Sequence, residues 1–285
     1  MQFITTVEAM RDYSRRARAE GKTIGFVPTM GYLHEGHMSL VRAARKECDT
    51  VIMSIFVNPH QFVPGEDFDR YPRDMQRDRR LAEEAGVDVV FAPSVSEMYP
   101  EGYATYVETM GALTDVLCGS SRPGHFRGVT TVVAKLFDVI CPDRSYFGQK
   151  DAQQTAIVKR MARDLNMPVE IRVMPIVRES DGLAMSSRNT YLSGQERRQA
   201  RALSRSLKKA EEMVAGGELS PGRIKEEIVN ILQKEKNIRI DYVAVVDADC
   251  FTKIETVRDN TLTAIAVFVG QTRLIDNTII KETIC

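Results

Sequence analysis

Two histidines three residues apart, in His34-Glu35-Gly36-His37, stand where a short apolar run gives way to a helical pattern. A helix start carries unpaired backbone N–H groups and the positive end of the peptide dipole, so it attracts anions. Gly36 removes a side chain where a phosphate would approach. Imidazoles at i and i+3 share one face and can donate to phosphate oxygens. The zinc-protease signature spaces its histidines four apart, so it does not fit here. A plainer reading, two surface histidines beside an N-cap, stands equally on spacing alone.

A second cluster, Phe147-Gly148-Gln149-Lys150-Asp151 with Gln153-Gln154 behind it, again runs from an apolar strand through Gly into a helix. Lys150 offers a compact charge for phosphate, and Asp151 is favourable in a first helical turn. Ala184-Met185-Ser186-Ser187-Arg188-Asn189 supplies two hydroxyls and a guanidinium that can wrap triphosphate oxygens. Asn58-Pro59-His60-Gln61-Phe62 puts two amides after an apolar run, and amides hydrogen-bond in both senses. Arg122-Pro123-Gly124-His125-Phe126-Arg127 sets two cations and an imidazole before an apolar helix. Each string also has an ordinary reading as a polar turn or a solvated helix start.

The elements that must position these groups alternate. Lys22–Thr29 reads as a strand, Gly36–Cys48 as a helix, Thr50–Val57 as a strand buried on both faces, and Arg73–Ala85 as a charged helix ended by Gly86. Strands over Val87–Ala92 and Thr105–Met110 follow, then a helix over Val129–Ile140 stopped by Pro142. Ser145–Gly148 and Val169–Pro175 are strands around a helix over Ala152–Leu165. The first residues, up to Arg16, read as a helix. Such alternation predicts an α/β fold, a doubly wound, Rossmann-like parallel sheet with its chemistry beyond the carboxyl ends of the strands. After residue 177 the pattern changes to helices over 194–216 and 220–235, then strands Ile238–Val246, Thr261–Val269 and Thr272–Ile275, with a hairpin at Gly270-Gln271. Two domains are therefore expected: 1–177, and a smaller α+β domain, 178–285, acting as a lid.

Composition excludes some functions. Lys plus Arg and Asp plus Glu number 39 each over 285 residues, so a broad nucleic-acid-binding surface is not expected. No apolar run approaches the roughly 20 residues that cross a bilayer, and no membrane role is expected. Cys48, Cys118, Cys141, Cys250 and Cys285 form no Cys-x-x-Cys pair, which suits a reducing cytoplasm and small buried or half-buried side chains rather than a zinc site.

Taken in order, the strings resemble the pantothenate synthetase (pantoate–β-alanine ligase) family. The likeness lies in Val27-Pro28-Thr29-Met30-Gly31, His34–His37, Ser54-Ile55-Phe56-Val57-Asn58-Pro59, Gln61-Phe62, Tyr71-Pro72-Arg73, Arg122–Phe126, Phe147–Asp151, Gln153-Gln154 and Arg178–Asn189. It is dense to about residue 195 and looser beyond. The family shares its His-x-Gly-His signature with class I aminoacyl-tRNA synthetases, whose Lys-Met-Ser-Lys-Ser loop holds the triphosphate. Here Ala184 stands where the first Lys of that loop would be, which leaves Lys150 as the main phosphate cation.

The resemblance implies condensation of pantoate with β-alanine through an adenylate made from ATP, with Mg²⁺. It implies an ATP site of Met30, Gly31, Tyr32, Leu33, His34, Glu35, Gly36, His37, Gly148, Gln149, Lys150, Asp151, Val177, Met185, Ser186, Ser187 and Arg188. His37 would be a proton donor and His34 a phosphate ligand, with Lys150 and Arg188 completing the catalytic set. Gln61 would contact pantoate and β-alanine, and Gln154 pantoate; Asn58, Arg122 and His125 would line the pocket. A homodimer is implied too, with the region near Thr105–Met110 as a candidate contact. A superfamily rival that leaves its nucleotide on the product would release no AMP.

Overall fold

The computed structural model describes residues 1–280, so Cys285 lies outside the described residues. Along the chain run β1 (Gln2–Ile4), α1 (Val7–Ala19), β2 (Ile24–Thr29), α2 (Glu35–Glu47), β3 (Thr50–Ile55), α3 (Met75–Glu84), β4 (Val89–Phe91) and α4 (Val95–Met98). Next come α5 (Cys118–Ser121), α6 (His125–Ile140), β5 (Arg144–Gly148), α7 (Ala152–Asp164) and β6 (Glu170–Met174). The chain continues through α8 (Gly194–Ala200), α9 (Ala202–Ala215), α10 (Pro221–Gln233), β7 (Ile238–Asp247), β8 (Thr261–Val269) and β9 (Thr272–Ile280). Short 3₁₀ turns occupy Pro59–Gln61, Gln149–Asp151 and Ser187–Tyr191.

Two compact units form. The first holds Met1–Thr109, Arg122–Gln149 and Ile157–Pro175; the second holds Met110–Ser121, Lys150–Ala156 and the described residues from Ile176 on. A single cut after residue 177 misses the two short segments that group with the second unit. Gln153 shows why they do: its Oε1 accepts from the Cys118 N–H at 2.9 Å, and its Nε2 donates to the carbonyls of Leu113 and Val116, each at 2.8 Å.

In the first unit a six-stranded sheet has the order β1-β4-β3-β2-β5-β6, every neighbouring pair parallel. Its central strands are buried runs such as Val51, Ile52 and Met53, because helices must cover both faces of a parallel sheet. From β2 the order runs one way to β3 and β4, and from β5 the other way to β6, so the topological switch point lies between β2 and β5. The β2–β3 ladder continues to Thr29↔Ile55, but β2 pairs with β5 only at Gly25↔Arg144 and Phe26↔Ser145.

Pro28 accounts for that short ladder. The Thr23 and Thr29 carbonyls accept from Thr50 and Phe56 on the β3 side, and the Ile24 carbonyl from Asp143 on the β5 side. With a period of two, Pro28 faces β5, and it has no N–H to give.

The second unit carries a three-stranded antiparallel sheet in the order β7-β8-β9. Gly270, at φ 58, makes the two-residue link that closes Val269↔Thr272, as its position after an apolar run predicts. Leu203, Leu207, Ile224, Ile228 and Leu232 from α9 and α10 form one core with Val267 of β8. Ser220 caps α10 by accepting from the Arg223 N–H, with Pro221 at the first helical position.

Several expectations need correction. The N-terminal helix is preceded by a strand, β1, pairing with β4. Residues 105–110 are not a strand: the Val107 N–H donates to Thr131 Oγ1 at 3.0 Å, and its carbonyl accepts from Thr130 Oγ1 at 2.5 Å, so α6 takes the bonds a ladder needs. That helix starts at His125 rather than Val129, because Gly124 turns the chain at φ 85 just before it. The segment 194–216 breaks at Arg201 into α8 and α9, and β9 extends to Ile280. Cys48 and Cys118 are buried, but Cys141 and Cys250 are exposed; these four are free thiols.

Candidate active site

Every strand of the first unit's sheet runs the same way, so the turns after β2, β3 and β5 leave from one edge. The turn after β2 is tightly bound. Gly31 has φ 84, and a Cβ there would lie 2.9 Å from both Asp78 Oδ2 and Ile55 Cγ2. Asp78, on the inner face of α3, accepts from the Tyr32 N–H with Oδ2 at 2.7 Å and from the Leu33 N–H with Oδ1 at 2.8 Å. Thr29 Oγ1 accepts from the Gly31 N–H at 3.2 Å and donates to the Ser54 carbonyl at 2.7 Å. Burial raises the pKa of Asp78, and the two backbone N–H groups and Arg77 pull the other way.

His34 is the N-cap of α2, and its backbone N–H donates to His37 Nδ1 at 3.2 Å. An Nδ1 that accepts carries no proton, so the neutral ring of His37 bears its proton on Nε2. The two rings stack with centroids 4.0 Å apart. Glu35 is exposed and paired with Arg42 on its own helix, which leaves the anion-attracting N–H groups of the first turn as the feature of this helix start.

The turn after β3 centres on Gln61. Its Oε1 accepts from Asn58 Nδ2 at 3.1 Å, and its Nε2 lies 3.0 Å from Met30 Sδ. Asn58 is 1% exposed: its Nδ2 also donates to the Gly128 carbonyl at 3.1 Å, and its Oδ1 accepts from the Tyr99 hydroxyl at 2.8 Å. Burial pushes the Tyr99 phenol up, so it stays a donor. Gly128 lets α6 touch the 3₁₀ turn, because a Cβ there would fall 2.0 Å from the His60 carbonyl.

Arg122 and His125 act on the same turn. Arg122 grips both carboxylate oxygens of Glu66, at 2.6 and 2.7 Å, and donates to the Gln61 carbonyl at 3.3 Å. Its Nη1 lies 2.8 Å from His125 Nε2, which must therefore accept, so Nδ1–H donates to the Gln61 carbonyl at 2.6 Å. Asn58, Arg122 and His125, expected as pocket lining, thus hold Gln61 in place.

In the second unit the string 178–189 is largely self-fastened. The Met185 N–H donates to the Val177 carbonyl at 3.0 Å, and Arg178 bridges Ala184. Glu179 accepts from Asn189 Nδ2 at 2.7 Å and from Arg197 at 2.5 Å, and Arg197 also holds Asp181 at 3.1 Å. Ser186 Oγ accepts from the Arg188 N–H at 3.3 Å, starting the 3₁₀ turn at Ser187. Arg178, Glu179, Asp181, Ser186 and Asn189 are fasteners, and Met185, Ser186 and Arg188 are half-buried on the loop they hold. Lys150 and Gln154 are half-buried and Asp151 exposed at the start of α7.

A family model described as pantoate-beta-alanine ligase matches residues 2–279. The chain belongs to the pantoate–β-alanine ligase family. It is 58% identical over 281 residues to the pantothenate synthetase of Acetivibrio thermocellus, covering 99% of this chain and 100% of that protein. It is 57% identical over 281 residues to that of Moorella thermoacetica, covering 99% of each. The pantothenate synthetase structure from Thermus thermophilus superposes with a TM-score of 0.95 at 46% identity, covering 99% of this chain and 100% of that one. The pantoate-beta-alanine ligase of Francisella tularensis, complexed with beta-gamma ATP and beta-alanine, has a TM-score of 0.79 at 33% identity, covering 98% and 97%. As a member of this family the chain is a ligase that uses ATP to form the amide bond between pantoate and β-alanine.

Sequence reading found the residues of the family strings and missed the ones that hold them. Asp78 carried a signal: it stands one helical turn before Leu81 and Ala82, on the face of α3 that packs inward. Glu66 and Tyr99 carried none, since nothing in their spacing distinguishes them from solvated loop residues.

Proposed function

We propose that the pantoate carboxylate attacks the α-phosphorus of ATP with release of pyrophosphate, and that β-alanine's neutral amine then attacks the pantoyl adenylate with release of AMP. The observation that carries this assignment of residues is the fixed tautomer of His37 at the start of α2, beside the point where β2 and β5 part. A proton on Nε2 of His37 is of the kind that donates to a phosphate oxygen, and the α2 start favours the charge that grows there. The turn Met30–Leu33, His34, Glu35 and Gly36 belong to the same ATP site. Gly148 fits it: a Cβ there would meet no protein atom within 4 Å, so glycine at this strand end leaves space for a ligand.

Gln61 is assigned to pantoate and the incoming β-alanine. With its Oε1 engaged by Asn58, its NH₂ is the group presented, and an amide donor orients a carboxylate without neutralising it as a guanidinium would. Gln154 is assigned to pantoate. Gln149, Lys150, Asp151, Val177, Met185, Ser186, Ser187 and Arg188 are assigned to the nucleotide, with Lys150 and Arg188 balancing phosphate charge. Positioning and charge stabilisation suffice for such chemistry, and no covalent protein nucleophile is invoked.

Mg²⁺ enters with ATP. Among the described residues no group of three or more His, Cys, Asp or Glu side chains is arranged to hold a metal ion. The ion is therefore assigned to phosphate oxygens and water, where it neutralises phosphate charge. A cytoplasmic homodimer completes the reading; among the described residues no helix is long and apolar enough to cross a membrane.

The deciding experiment is exchange of labelled pyrophosphate into ATP with Mg²⁺ and without β-alanine. Exchange that requires pantoate is expected. Its absence, in folded protein that binds ATP, would sink the two-step scheme.

A further inference from the structure

Near the end of the described chain, β9 carries two adjacent polar side chains, Asp276 and Asn277, that are 2% and 3% exposed. Their partners on β8 are Ile265 and Ala264. Successive side chains of a strand point to opposite faces, so this edge strand reaches in two directions at once. Asp276 takes Arg178 in a paired contact, Nη1 to Oδ2 at 2.7 Å and Nη2 to Oδ1 at 3.1 Å. Arg178 also donates to the Gly182 carbonyl at 3.2 Å. Asn277 Nδ2 donates to the Lys150 carbonyl at 3.0 Å, fastening the 3₁₀ turn Gln149–Asp151.

We propose that Asp276 and Asn277 are positioning residues for the ATP phosphates, one fixing the backbone at Lys150 and the other the base of the Met185–Arg188 loop. This rests on the assignment of Lys150 and Arg188 to the nucleotide made above.

A purely structural role explains the pair poorly. Burial raises the pKa of Asp276 against the pull of Arg178, and an ion pair whose carboxylate is buried this way adds little stability over an apolar pair of the same shape. What the pair adds is direction. A carboxylate meeting a guanidinium in two parallel bonds fixes an angle as well as a distance. Lys150 and Arg188 are 38 residues apart in sequence, and β9 contacts the segment of each. One strand thereby sets the spacing of two cations, and catalysis by positioned charge is sensitive to shifts of about 1 Å.

The test compares wild type with Asn277→Asp, which keeps the shape but turns a donor into an acceptor facing the Lys150 carbonyl. Asp276→Asn is the second variant. In pyrophosphate exchange, Asn277→Asp is expected to lower kcat by about 10- to 100-fold and raise the KM for ATP, with the KM for pantoate within about twofold. In calorimetric binding, ATP affinity is expected to fall about tenfold while AMP, which lacks the outer phosphates, binds as before. Equal losses for ATP and AMP, or losses that track a fallen melting temperature, would make the pair structural only. Unchanged ATP parameters would also overturn the proposal. Wild-type protein without pantoate-dependent exchange would refute the adenylate scheme instead, and the ATP-against-AMP comparison would still decide the positioning role.

Discussion

Lys150 sits in the turn just before α7, its backbone fixed by Asn277. A fixed backbone beneath a flexible four-carbon stem suits a charge that must meet a moving phosphate oxygen. Lys150→Ala is therefore expected to lower the adenylation rate by on the order of 10²–10³ with little change in melting temperature, the scale of losing one preorganised charge-stabilising group. Pyrophosphate exchange measures the first and thermal unfolding the second. A rate within a few-fold of wild type would remove Lys150 from the chemistry. His37 and His125 illustrate a related point: each ring has its tautomer set by a neighbour, so the proton is where the geometry requires it before any substrate arrives.

Among the elements, α3 and α6 act through what their ends and inner faces offer to the sheet turns. The buried Val129, Val132, Val133, Leu136, Phe137 and Ile140 of α6 supply about 1.5–3 kcal/mol each by burial. That leaves His125 and Gly128, one turn from its start, to shape the Gln61 turn. Asp78 does the same for the Met30–Leu33 turn from α3. Asp78→Asn keeps the shape but offers one acceptor to two N–H donors, so a loss of about 1–3 kcal/mol is expected in denaturant unfolding at pH 7. The pH dependence has a definite sign. Because burial raises the folded pKa of Asp78, the proton-linked part of its contribution is full below the unfolded pKa and is lost as pH rises through the folded one, while its two N–H contacts remain. Wild-type stability measured against Asp78→Asn should therefore decline as pH rises above about 4. A difference that stays flat or grows with pH would contradict this reading of Asp78.

At the scale of the whole molecule, two segments of the second unit interrupt the sequence of the first, at Met110–Ser121 and Lys150–Ala156. The chain near the first of them exposes large apolar side chains, Tyr106 at 41% and Met110 at 84%. Scattered exposed apolar groups are common, but Met and Tyr are residue types enriched in protein contacts. Sedimentation equilibrium is expected to give the mass of two chains rather than the 32.1 kDa of one, and Met110→Asp to shift it toward one. A wild-type chain that stays monomeric at micromolar concentration would end the homodimer assignment.

The sequence by itself determined the parallel sheet and, through its ordered strings, the family, because these rest on local patterns. Continuous apolar strands alternate with amphipathic helices, and Gly, His, Lys and Ser stand at their junctions. Even the splaying of β2 from β5 is written in Pro28, once its neighbours are known. Only the tertiary structure decided which polar residues are fasteners. Asn58, Arg122 and His125 turned out to hold Gln61; Glu179, Asp181 and Asn189 hold their own loop; and Glu66, Tyr99 and Asn277 emerged from stretches with no distinguishing spacing. The reason is physical. A side chain's hydrogen-bonding capacity is fixed by its type, but its partner is chosen by which backbone groups packing leaves unpaired nearby, often dozens of residues away.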